Sequence, residues 1–183
     1  MPTLINIIPN YIIGDLDSIS KDALEYLKDK SKIVKYKRQN DTDVDKSIKF
    51  AIKNKFTQIV LLGVTGDRLD HTICNLGMVI KYLNKIKIFI AAEKSFLIPV
   101  KDQISFISKP DEIFSIYAFD NKTKISSTGL KYKLNNTTLP FGLRESTSNV
   151  SVSENVTIKV KNGVAFVIRE LQSIIKYDLF QSI

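Results

Sequence analysis

"QIVLLGVTGDRLDHTICNLGMVIKYLNKIKIFIA", residues 58–91, holds a complete strand–helix–strand unit. It opens with "QIVLLGV" at 58–64, nearly continuously apolar, as a parallel strand covered on both faces should be. Leu69, Ile73, Leu76, Ile80 and Leu83 then recur on one side of a helix over about 69–83. "KIKIFIA" at 85–91 is the next strand. Alternating strand and helix make an open, mostly parallel α/β layer.

Upstream the rhythm is the same. In "IIGDLDSIS" at 12–20 an apolar run meets a glycine, then two aspartates one residue apart. A helix follows over 20–29, with Ser20 as its cap and Ala23, Leu24 and Leu27 on one side. "KIVKY" at 32–36 reads as a strand. A helix over 42–54 starts at Thr42, with Asp45 three positions on in the manner of a capping box. Its apolar stripe is Val44, Ile48, Ala51 and Ile52.

From about residue 97 short strand-like runs take over: "QISFIS", "EIFSIYAF", "KTKISST", "NVTIKV" and "VAFVI". Asn121 and the Asn-Gly of "KVKNGVAF" read as hairpin turns. The expectation is an α/β domain over 1–96 and an antiparallel β-sandwich over 97–183, with a small packing helix in the tail "RELQSIIKYDLFQSI".

Bulk properties exclude several classes. With 183 residues and 44% hydrophobic content, the chain can bury a real core. Its apolar runs are too short to cross a membrane, and no basic, apolar and small-residue leader is visible. The single cysteine, Cys74, reads as a buried small hydrophobe; it allows no internal disulfide and fits a reducing, cytoplasmic compartment. The net charge of +8 comes from lysines spread along helix faces and strand ends, so neither nucleic acid nor membrane is the expected partner. Phosphate-loop, dinucleotide, zinc and nucleophile-elbow patterns are absent from the sequence.

Three polar clusters follow strands: "GDLDS" (14–18), "QNDTD" (39–43) and "GDRLDH" (66–71). Open parallel sheets bind ligands beyond the carboxyl ends of their strands, which would gather all three clusters on one edge. Carboxylates collected there need a cation, and magnesium commonly links carboxylates to substrate phosphates. Gly14, Gly63 and Gly66 permit close backbone approach, and Arg68 offers a fork of donors to a phosphate. Each cluster alone is also an ordinary turn or helix cap, and His71 reads equally as a packing or a catalytic residue.

Together the clusters resemble the thiamine pyrophosphokinase (thiamine diphosphokinase) family. The likeness runs through "NYIIGDLDSI" (10–19), "NDTDVDKSI" (40–48) and "LLGVTGDRLDHTICNLG" (61–77), then "STGLKYKL" (127–134) and "STSNVSVSENVTIKVKNGVAFVI" (146–168). It implies transfer of the pyrophosphoryl group of ATP to thiamine, with Mg2+, in a homodimer whose clefts involve both subunits. The implied metal ligands are Asp15, Asp17, Asp43 and Asp70, and the implied catalytic residues Asp43, Arg68 and Asp70, with Asp70 or Asp43 as proton acceptor. The resemblance further implies Ser18, Asn40, Thr42, Asp67, Arg68 and His71 as nucleotide and phosphate contacts, and Ser148, Asn149 and Tyr132 as thiamine contacts.

The chain departs from the pattern in places. Members of the family carry a further strand and helix, with an Ala-Asp-Gly-Gly-like turn, where nine residues, "MPTLINIIP", precede Asn10 here. That predicts an exposed strand edge and a reduced active-site wall. Asn40 stands where aspartate is common, and Asp67 where glycine is frequent. Two alternatives stay open: a phosphotransferase acting on another alcohol, and an inactive thiamine- or nucleotide-binding protein.

Overall fold

The computed structural model describes residues 7–36, 40–66, 68–177 and 179, in two compact units, one through Phe56 and one from Thr57. The first unit contains β1 (Tyr11–Gly14), α1 (Lys21–Leu27), β2 (Lys32–Lys35) and α2 (Asp43–Lys53). β1 and β2 pair in parallel, from Tyr11 opposite Lys32 to Gly14 opposite Lys35. Both expected caps form: Ser20 Oγ accepts from the Ala23 N–H at 3.2 Å, and Thr42 Oγ1 from the Asp45 N–H at 3.1 Å. α2 lies against β1, where the Tyr11 and Phe50 rings are 4.9 Å apart and Ile48 is fully buried. That packing sets the end of β1 beside the start of α2.

The second unit begins with β3 (Gln58–Leu62), α3 (Leu69–Tyr82) and β4 (Lys87–Ala91), and β3 and β4 pair in parallel. Next come β5 (Ser95–Val100), β6 (Gln103–Ile107), β7 (Ile113–Ala118) and β8 (Lys124–Thr128). The remainder is β9 (Thr137–Thr138), β10 (Ser146–Val150), β11 (Asn155–Lys161), β12 (Ala165–Glu170) and α4 (Leu171–Lys176). One sheet has the order β10-β7-β12-β5-β4-β3 and the other β6-β11-β8-β9. Both feed one core that includes Phe106, Phe114, Ile116, Ile125, Ile158 and Val167. The mixed α/β architecture, with parallel strand pairs and a larger antiparallel part, is the expected class. The six-stranded sheet runs through residue 96, because β4 and β5 are antiparallel neighbours.

Four local readings are corrected. β3 is not covered on both faces: it is the edge of its sheet, and Val60 and Leu62 are 50% and 74% exposed. Cys74 is exposed on α3 rather than buried. Neither expected hairpin forms. The turn after β7 and the Asn-Gly turn after β11 each carry the chain from one sheet to the other, since β7 pairs with β12 and β8 with β11. These two corners pack together, and a Cβ at Gly163 would lie 1.8 Å from Thr123 Oγ1. The boundary reading also passed over β5, whose Pro99 suggests a break. Pro99 pairs with Phe166 on one side, beyond the positions where β4 pairs on the other, so its missing N–H costs little.

The sandwich core contains one buried charge pair. Arg169 is 1% exposed and forks onto Glu112, with Nε to Oε1 at 2.7 Å and Nη2 to Oε2 at 3.0 Å. Nη2 also donates to the Ile107 carbonyl at 2.9 Å, and the Phe106 and Phe114 rings flank the guanidinium. Nη1 has no protein partner. Removing one member of such a pair strands the other charge, whereas replacing both need not. Arg169→Met should therefore cost about 3–5 kcal/mol in urea unfolding, and Arg169→Met with Glu112→Leu should recover most of it. Equal losses in the single and double variants would contradict this reading.

Candidate functional site

In the first unit, the end of β1 and the start of α2 bring two of the three clusters together. Asp15 follows Gly14, and its Oδ1 accepts from the Asp17 N–H at 3.2 Å, closing a small turn in which Leu16 takes a left-handed φ of 70°. Such a backbone is strained for leucine and is the kind of strain that gathers at functional loops. Asp17 and Ser18 are exposed beyond it. Asp43 opens α2 directly after the Thr42 cap. A Cβ at Gly14 would lie 3.4 Å from Asp43 Oδ1, an ordinary contact distance, so the end of β1 runs directly beside this carboxylate.

Between the two acids sits a residue that the sequence reading missed. Lys46 Nζ is 3.1 Å from Asp15 Oδ2 and 2.9 Å from Asp43 Oδ1, and its side chain is only 3% exposed. The hydrogen bond to Asp43 is the main influence raising the Lys46 pKa. The Asp17 N–H and then the Lys46 ammonium hold the Asp15 carboxyl below its ordinary value. Asn40 is exposed, while Asp41 pairs with Lys49 at 2.8 Å. In α2 the lysine resembles any solvated helix charge; only the packing of α2 on β1 turns it inward.

The third cluster lies in the second unit, after β3. Gly63 and Gly66 have positive φ, 67° and 155°, on the way to α3. Asp67 lies outside the described residues. Arg68 forks onto Asp70, with Nε to Oδ1 at 3.2 Å and Nη2 to Oδ2 at 2.5 Å, and His71 is exposed in the next position. The Arg68 guanidinium holds the Asp70 carboxyl down to about 2. Asn75, one turn on and buried, donates from Nδ2 to the Val64 carbonyl at 2.8 Å, tying the loop to the helix. It too escaped the sequence reading.

The sandwich residues divide into two roles. Ser148 is exposed at a bulge of β10, with φ of 54°, and its N–H donates to Ser115 Oγ at 3.0 Å. Asn149 is buried and its amide is engaged internally: Oδ1 accepts from the Tyr132 N–H at 3.0 Å and Nδ2 donates to the Tyr132 carbonyl at 2.7 Å. Asn149 thus pins the backbone of Tyr132, whose ring is 62% exposed. Nearby, Tyr117 Oη bonds Thr147 Oγ1 at 2.8 Å.

Among the described residues, no three His, Cys, Asp or Glu side chains are grouped to hold an ion. Asp15 and Asp43 nevertheless offer hard oxygen donors on one cationic position, and magnesium usually needs only one or two carboxylates when phosphates and water complete its shell. The donor set fits.

Known proteins put this arrangement in context. Residues 3–90 match the family model "Thiamin pyrophosphokinase, catalytic domain", and residues 101–165 match "Thiamin pyrophosphokinase, vitamin B1 binding domain". The chain is 29% identical to thiamin pyrophosphokinase 1 of Caenorhabditis elegans, across 93% of this chain and 74% of that protein. It is 28% identical to thiamine pyrophosphokinase 1 of Arabidopsis thaliana, of which it spans 65%. The crystal structure of thiamine pyrophosphokinase from Bacillus subtilis shares the fold with a TM-score of 0.79 at 23% identity, over 90% of this chain and 80% of that one. The matched segments and relatives point to a kinase-type transferase, and its build is mixed α/β with a β-sandwich. The chain belongs to the thiamine pyrophosphokinase family.

The Arg68–Asp70 pair makes a pH prediction. Asp70 is ordinarily near 3.8 and is held near 2 in the folded protein. The folded value is the lower one, so the pair's contribution to stability is present above 3.8 and lost as pH falls through about 2. Carbon-13 NMR should give an Asp70 midpoint near 2, returning toward 3.8 in Arg68→Met. An Asp70 midpoint unmoved by Arg68→Met would show that the pair is not what lowers it.

Proposed function

We infer that this protein is a thiamine diphosphokinase, transferring the pyrophosphoryl group of ATP to the hydroxyethyl oxygen of thiamine and releasing AMP. The observation that carries the reading is the convergence of Asp15 and Asp43 on one enclosed cation position, within a chain that matches both parts of the family. Ligand roles divide near residue 96, with ATP and Mg2+ on 1–96 and thiamine on 97–183. The separate family descriptions of the two segments support that division.

Each residue then has a task. Asp15 and Asp43 would hold Mg2+, with Asp17 as a further oxygen donor of the first unit and Asp70 as the donor offered by the second. Bound magnesium would neutralise phosphate oxygens and stabilise the leaving AMP. Arg68 turns its fork from Asp70 to the phosphates, which are the stronger bidentate acceptors when present. Ser18, Asn40, Thr42, Asp67 and His71 line the nucleotide side. Release from Arg68 raises the basicity of Asp70 and fits it to take the alcohol proton; Asp43 is the alternative acceptor. Proton removal can come late, because phosphoryl transfer passes through a loose transition state. Ser148 and Tyr132 meet thiamine directly, and Asn149 acts by holding the Tyr132 backbone.

A homodimer is part of the same reading. Ile73, Leu76 and Ile80 of α3 border an apolar concavity of about 570 Å3 with Tyr117, Phe119 and Phe141. Several of these side chains are well exposed, and a second copy of the chain covering them would remove that apolar surface from water. Among the described residues no helix is long and apolar enough to cross a membrane.

Incubation with ATP, magnesium and thiamine, with and without chelator, tests the reaction. Chromatography should show AMP and thiamine diphosphate in equal amounts, only with metal. ADP with thiamine monophosphate would contradict pyrophosphoryl transfer, and absence of any thiamine product would favour the binding-protein alternative.

A further inference from the structure

Lys46 has no role in the reaction just described, yet it occupies the centre of the acidic site. Its Nζ lies about equally close to carboxylates from two elements, Asp15 after β1 and Asp43 at the start of α2. An enclosed ammonium is costly to desolvate, and a cation near a helix N-terminus opposes the helix dipole. Among the described residues, the two acids are what offsets both penalties. A magnesium ion bound to them would need oxygens at about 2.0–2.1 Å. It would then press against an ammonium already within hydrogen-bond distance of both, and like charges that close repel strongly.

We propose that Lys46 is the resident counter-ion of this site: it holds Asp15 and Asp43 together in the metal-free protein and gives way when a divalent cation binds. Lys46 therefore sets the metal affinity as a positioning residue, by competing for the same oxygens. The proposal rests on the reading of Asp15 and Asp43 as metal ligands. It makes an unusual demand, since loss of a merely structural ion pair would loosen the site and weaken metal binding. Loss of a competing counter-ion strengthens it.

The test is titration of the full chain with Mn2+ alone, reading free Mn2+ by electron paramagnetic resonance. Lys46→Met keeps an unbranched apolar stem and removes the charge. It should bind Mn2+ about tenfold more tightly than wild type, the scale on which one neighbouring charge shifts an ionisation. Its thermal midpoint in chelator should fall, and Mn2+ should raise it by more than in wild type. Unchanged or weaker Mn2+ binding by folded Lys46→Met overturns the proposal.

Asp43→Asn separates the two layers of the argument. If it weakens Mn2+ binding while Lys46→Met fails to strengthen it, only the counter-ion proposal falls. If Asp43→Asn leaves Mn2+ binding unchanged, the metal reading falls with it. Should Lys46→Met not fold, wild-type protein labelled with nitrogen-15 lysine gives the answer. The Lys46 ammonium signal should shift and lose exchange protection on adding Mg2+; a signal unmoved at saturation overturns the proposal.

Discussion

Two carboxylates at the mouth of a strand repel each other unless something positive stands between them, and in the first unit that something is Lys46. The constraint reaches into the backbone. Leu16 is held in a left-handed conformation by the tight turn in which Asp17 donates to Asp15. The Thr42 cap fixes where α2 starts. The contact of α2 with β1 brings Lys46 inward between the acids, so an apolar packing face and an electrostatic site depend on the same helix.

The second unit solves a different problem with related means. Its two sheets share a core, and the chain passes between them at the corner after β7 and again at the corner after β11. Gly163 is required at one of these because Thr123 of the other fills the space of its Cβ. The buried Arg169–Glu112 pair joins β12 to the segment before β7, and the guanidinium is sandwiched by aromatic rings. On this frame β10 carries a bulge that exposes Ser148, while its neighbour Asn149 turns inward to hold Tyr132. An exposed side chain and a buried one that braces the backbone thus stand in consecutive positions.

Much of this was legible because the signals are local. Ser20 and Thr42 cap helices through side chains three residues from their partners, and the Asp-x-Asp and Arg-x-Asp spacings lie within single turns. What was hidden depends on residues distant in sequence. Lys46 looks like a surface lysine until β1 lies beside α2. Asn149 looks like a ligand contact until the Tyr132 segment folds across it. The Asn-Gly dipeptide marks a turn, but it cannot say whether the strand that follows returns to the same sheet. β3 shows the converse: a continuous apolar run suggests cover on both faces, yet strand order makes it an edge with Val60 and Leu62 exposed. Hydrophobicity reports that a surface wants cover, not which neighbour supplies it.

The most direct measurement of the central claim is an anomalous-difference map from crystals of this protein grown with Mn2+. A peak is expected within about 2.0–2.3 Å of both an Asp15 and an Asp43 carboxylate oxygen, with the Lys46 ammonium displaced from between them. A peak elsewhere, with Lys46 still bridging the two acids, would contradict it.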